Sequence, residues 1–150
     1  MKHNKIISVA IALCVTAFFT IGSLPSVSAS TPAPVTITGV YDFSTFPNVS
    51  GTFTTTGLGG ISGSTTMLVG PNVNGIIAHC VVTLMPSTGG SIIIDQECQF
   101  ATSMPAPYPN GQGKGRWEIV SGTGAYANLY GNGSLTMPDD EEAMTGYIYR

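Results

Sequence analysis

From Val35 to Tyr149 the chain is a succession of short runs rich in Thr, Val, Ile and Tyr, separated by clusters of Gly, Pro and Asn, with no sustained helical period. β-branched and aromatic residues fit a pleated surface, and Gly, Pro and Asn break it. The pattern predicts strands over Val35–Phe43, Gly51–Thr56, Ser62–Val69, Gly75–Met85, Ser91–Ala101, Gly113–Ser121, Gly131–Met137 and Ala143–Tyr149. Turn signals fall between them, among them Phe46-Pro47-Asn48, Gly57-Leu58-Gly59-Gly60 and Gly70-Pro71-Asn72-Val73-Asn74. About eight short strands in one small chain predict an all-β domain, a single closed antiparallel barrel, with a β-sandwich as the alternative. Closure is favoured because it removes unpaired edges, and only 9% of residues are charged and free to guard such edges. The Pro105–Gly111 connection, with three prolines, reads as a stiff crossover, with a lid over a barrel mouth as its alternative.

Ahead of the strands, Lys2 and Lys5 precede an apolar run from Ile6 to Ile21, and Val27-Ser28-Ala29 supplies the small residues a signal peptidase reads. This is the pattern of a secretory signal peptide over 1–29, leaving a barrel domain over 30–150. The apolar run falls short of the ~18–20 residues a spanning helix needs, so no stable membrane anchor is expected after cleavage. Export to the periplasm or the extracellular space follows. Cleavage leaves Lys114, Arg116 and Arg150 against eight acidic residues, a net charge of −5. That excess disfavours nucleic acid as a partner.

Cys14 leaves with the leader; Cys80 and Cys98 stay, and an oxidising compartment favours their pairing. They lie on two segments flanking Pro86-Ser87-Thr88-Gly89-Gly90. A hairpin register in which residue numbers sum to 178 sets Cys80 opposite Cys98, Leu84 opposite Ile94 and Ala78 opposite Phe100. All of these share one face with Ile76, Val82 and Ile92, the expected core side. A disulfide closing this loop is worth on the order of 3 kcal/mol if the loop-entropy account holds.

The most distinctive stretch runs from Gly115 to Gly133. Trp117 and Ile119 share one strand face, expected to be buried, and Arg116, Glu118 and Val120 share the other. Tyr126 and Leu129, three apart, are placed to plug one end of the core. Gly122-Thr123-Gly124, Tyr126 and Gly131 together resemble the allene oxide cyclase barrel and dirigent-like superfamily, most of all its small exported bacterial members. The likeness spans about Gly113 to Gly133, and the final hairpin to Tyr149 is compatible with it. It implies an eight-stranded antiparallel barrel around an apolar cavity. Cyclases of this superfamily direct ring closure of a hydrophobic substrate held there, and dirigent proteins steer the coupling of phenolic radicals. No catalytic residue is assigned from the resemblance.

The polar candidates are few. Asp42, between Tyr41 and Phe43, and the Arg116/Glu118 pair are the candidates for a ligand cavity. His79, out of phase with Cys80, is expected to point outward, near Glu97 and on the same solvent face as Asp95. Asp139-Asp140-Glu141-Glu142 reads as a solvated hairpin tip. Hydrolase, zinc and nucleotide-loop signatures are missing, so neither a metal nor a cofactor is expected. The leading functional expectation is a binding module for a small hydrophobic molecule. A cyclase-like or dirigent-like enzyme, which requires an ionisable group inside the barrel, and a surface or adhesive subunit are the alternatives.

Overall fold

The computed structural model describes residues 30–70, 77–100, 113–138 and 140–150. The expected leader over 1–29 and the Pro105–Gly111 connection lie outside the described residues, as does Ile76. Eight strands follow one another: β1 (Ala33–Asp42), β2 (Asn48–Thr56), β3 (Ser62–Val69), β4 (Ile77–Pro86), β5 (Ser91–Phe100), β6 (Gly113–Thr123), β7 (Tyr130–Met137) and β8 (Glu141–Tyr149). Each pairs antiparallel with the next, and β8 returns to β1, closing the barrel. The expected closed barrel is therefore correct and the sandwich is not, and each strand has a neighbour on both sides.

Side-chain alternation sorts inside from outside with little ambiguity. Val35, Ile37 and Tyr41 of β1 point inward, as do Val82 and Leu84 of β4, Ile92 and Ile94 of β5, and Leu135 and Met137 of β7. Thr36, Thr38, Thr52, Thr54 and Thr66 are among the residues on the outside of β1 to β3. Trp117 and Ile119 are buried, as their strand phase requires, and Val120 is the extra residue of a bulge between β5 and β6. A short 3-10 turn, Gly124–Tyr126, carries the chain across one end, where Tyr126 and Leu129 close the core as expected.

The β4–β5 register corrects the expected one. Cys80 stands opposite Gln96, Ala78 opposite Cys98 and Leu84 opposite Ile92, so residue numbers sum to 176. A shift of two residues keeps every side chain on its own face, so the hydrophobic pattern is equally satisfied by both registers. The turn decides between them: β4 runs on through Pro86, and the Gly89 amide N–H donates to the Pro86 carbonyl at 2.9 Å. Cys80 and Cys98 both face inward on neighbouring strands, two positions out of opposition, and each is a buried free thiol.

Candidate functional site

An inward-facing group of polar side chains lies within the apolar core. Its centre is Glu142, the second residue of β8, which is completely buried. The Tyr41 hydroxyl donates to Glu142 Oε2 at 2.9 Å. Gln96 turns an amide N–H to Met144 Sδ at 3.2 Å, and its amide also lies against the Glu142 carboxyl. Thr65 borders the Tyr41 hydroxyl from β3. Among the described residues, two buried side-chain oxygens are left without a hydrogen-bond partner, Glu142 Oε1 and Thr65 Oγ1.

The local sequence explains how Tyr41 reaches Glu142. Gly39 and Tyr41 are both inward positions of β1, and Gly39 stands directly opposite Glu142. A Cβ on Gly39 would lie 2.8 Å from Tyr41 Cε2 and 3.0 Å from the Tyr41 hydroxyl oxygen. The tyrosine ring therefore leans back along its own strand over the glycine, bringing its hydroxyl to the carboxyl on the neighbouring strand.

Burial dominates the electrostatics. It pushes the Glu142 carboxyl up to about 7, and the Tyr41 hydrogen bond, with the polar Gln96 amide nearby, pulls only part of the way back. The Tyr41 phenol is raised far above its ordinary value, first by burial and then by the Glu142 charge. Both thiols are pushed up to about 12, chiefly by burial; next in effect are Cys98 and then Glu142 for Cys80, and Glu142 for Cys98. A carboxyl titrating near neutrality inside an apolar barrel can donate a hydrogen bond when protonated and accept one, or a proton, when ionised.

None of the three expected cavity residues is in this interior. Asp42 is exposed and caps a 3-10 turn, Phe43–Thr45, accepting from the Ser44 amide N–H at 2.9 Å, which holds its carboxyl below the ordinary value. Its neighbour Tyr41 takes the inward phase, which forces Asp42 outward. Arg116 and Glu118 are outside because Trp117, between them, faces in. Arg116 Nη2 donates to Glu97 Oε2 at 3.2 Å, and His79 Nε2 lies 3.9 Å from the same oxygen, consistent with the expected proximity of His79 and Glu97. Glu118 stands opposite Asp95. These outward residues line a surface depression of about 610 Å³.

Glu142 also corrects the reading of the acidic run as a solvated tip: Asp140 and Glu141 are exposed, but the run's last member is sealed inside. The signal that could have found it was strand phase. Met144 and Ile148 are inward, and counting back by two from Met144 gives Glu142. Tyr41, Gln96 and Thr65 were equally in phase with apolar neighbours.

Fold and site together define a closed eight-stranded antiparallel barrel with a carboxyl–phenol pair enclosed in its core. No protein-family model, curated protein or solved structure matches this chain.

Proposed function

We propose that the chain is an exported barrel that binds one small, largely apolar molecule in its interior and orients it by a single polar group. The observation that carries this reading is Glu142 Oε1, a fully buried carboxyl oxygen with no hydrogen-bond partner among the described residues. An unpartnered buried polar atom costs roughly 1–3 kcal/mol, and a ligand hydroxyl or carbonyl set against it would remove that cost. Barrels of eight strands are wide enough to hold one small ligand. Thr65 Oγ1, the other unpartnered oxygen, offers a second point of contact. The export half of the reading rests on the Lys2/Lys5 segment, the apolar run after it and the small residues up to Ala29. Export also favours a Cys80–Cys98 disulfide; the register sets the two inward thiols diagonally rather than opposite, so joining them requires the strands to shift locally.

Native mass spectrometry of protein purified from its own source tests the reading. The expected result is a non-covalent small-molecule adduct, retained by Glu142→Gln and lost by Glu142→Leu. Bare wild-type protein that also fails to take up the neutral apolar dye Nile red would overturn it.

One observation favours a second reading, a cyclase-like enzyme of the kind the Gly122–Gly131 resemblance implies. Glu142 is an ionisable group inside the barrel that exchanges its proton near neutral pH. In that case Glu142→Gln keeps the bound molecule but no longer transforms it. Equal product formation by Glu142→Gln and the wild type would eliminate this reading and leave the binding one standing.

A further inference from the structure

We infer that the outer face of β6 to β8, continued onto β5, is a second binding site, and that it takes an amino-sugar chain: ring-shaped units carrying hydroxyls and a protonated amine. This site is separate from the interior and does not depend on it.

Its first component is aromatic. Tyr147 and Tyr149 point outward from β8, and Tyr130 on β7 stands opposite Tyr149. The Tyr130 and Tyr149 rings stack with centroids 5.8 Å apart and 19° between planes. Tyr147 is 58% exposed and Tyr130 52%. The outer faces of β1 to β3 are mainly Thr and Ser with single exposed aliphatics, so the tyrosines are concentrated on this wall. Exposed phenol rings offer an apolar surface with a polar tip, suited to a sugar ring that is apolar on its carbon–hydrogen face and polar at its rim.

The second component is charge. Tyr147 stands opposite Asn132, Asn132 opposite Glu118, and Glu118 opposite Asp95. The last three line the depression of about 610 Å³. Like charges directly opposite on neighbouring strands repel. Arg116 pairs with Glu97, but among the described residues neither Asp95 nor Glu118 has an ion-pair partner. Arg116 and His79 also line the depression, but Glu97 lies against both, so an ammonium group seated between Asp95 and Glu118 would offset that repulsion. The Asn132 amide supplies both a donor and an acceptor for ring hydroxyls between the charged and aromatic ends. The fold argues against an extended basic peptide. In a closed barrel each strand already has a neighbour on both sides, which leaves such a peptide little backbone to pair with.

The test is calorimetric titration of the full exported chain, below neutral pH and at about 0.15 M salt, with three probes: a glucosamine hexamer, the N-acetylated hexamer and hexalysine. The glucosamine hexamer is expected to bind, and the other two to bind at least ~tenfold more weakly, a difference of about 1.4 kcal/mol. Tyr147→Ala and the Asp95→Asn/Glu118→Gln double variant, all surface changes, are each expected to weaken the glucosamine hexamer by a similar factor. Leu68→Thr, outward on β3, is expected to leave it unchanged. Failure of the glucosamine hexamer to bind overturns the inference, as does equal binding of the acetylated hexamer. Hexalysine binding as tightly as the amino sugar overturns it too, in favour of simple polycation attraction.

Discussion

Gly39 stands directly opposite Glu142, and the side chain it lacks is what lets the Tyr41 hydroxyl reach the Glu142 carboxyl at 2.9 Å. A methyl group at Gly39 would press on the tyrosine ring and on its hydroxyl. Gly39→Ala is therefore expected to swing Tyr41 away, leave both Glu142 oxygens unpaired and cost roughly 1–3 kcal/mol. Urea unfolding measures this. Tyr41→Phe removes the hydroxyl alone, and adding Gly39→Ala to it should cost less than Gly39→Ala does in the wild type. Strict additivity would mean that the glycine does not act through the tyrosine hydroxyl.

Stability should fall as pH rises from about 4.5 to about 7. The Glu142 carboxyl titrates near 7 in the folded chain against an ordinary value of 4.5. Between those values the folded state holds a proton that the unfolded chain has released. Stability from this group is thus complete below about 4.5, declines up to about 7 and is level above it. The difference is on the order of 3 kcal/mol. Glu142→Gln should flatten this limb and, at alkaline pH, be more stable than the wild type. Unfolding midpoints measured across the range for both proteins check it. A wild-type profile parallel to that of Glu142→Gln would show that the carboxyl is not sealed from water.

Much of this architecture can be read from the chain, and the exceptions share a physical cause. Trp117 and Ile119 on one face, Tyr126 and Leu129 at one end, and eight antiparallel strands all follow from alternation and turn chemistry, which act locally. The β4–β5 register did not follow, because sums of 176 and 178 bury the same residues and differ only in how the turn after Pro86 is closed. Glu142 was obscured by its neighbours: four consecutive acids suggest solvent, whereas its inward phase is set by Met144 and Ile148, which follow it on β8. Asp42, Arg116 and Glu118 failed as interior candidates for the same reason in reverse, since each flanks an aromatic residue that takes the inward phase.

The two thiols bear on the export reading. Cys80 and Cys98 are 3% and 1% exposed, and burial pushes both up to about 12, so in the native fold neither should alkylate readily. Protein recovered from an oxidising compartment is expected to yield no alkylatable thiol even after denaturation, and two after reduction. Its intact mass should be two hydrogens below that of the reduced chain. Two reactive thiols on denaturation without reductant would remove the disulfide from the account and leave the closed barrel untouched.

Trp117 depends on two further glycines. It stands opposite Gly133 on β7, and Gly133 stands opposite Gly146 on β8, so the indole lies across a wall without side chains. Its Nε1–H is shared between the Ser134 carbonyl at 3.1 Å and the Thr145 carbonyl at 3.3 Å. Trp117→Phe loses that donor and part of the packing, and should cost about 1–3 kcal/mol. Gly146→Ala should cost more, because its Cβ would meet the indole Cζ2 at 2.8 Å and press still harder on the Asn132 carbonyl oxygen, and a strand backbone yields less readily than a side chain. Shrinking the ring relieves only the first of these contacts. The Trp117→Phe/Gly146→Ala double variant should therefore recover little of the stability lost by Gly146→Ala. Denaturant unfolding of the four proteins measures the coupling, and a full rescue by phenylalanine would show that the ring, not the neighbouring backbone, is what requires glycine at this position.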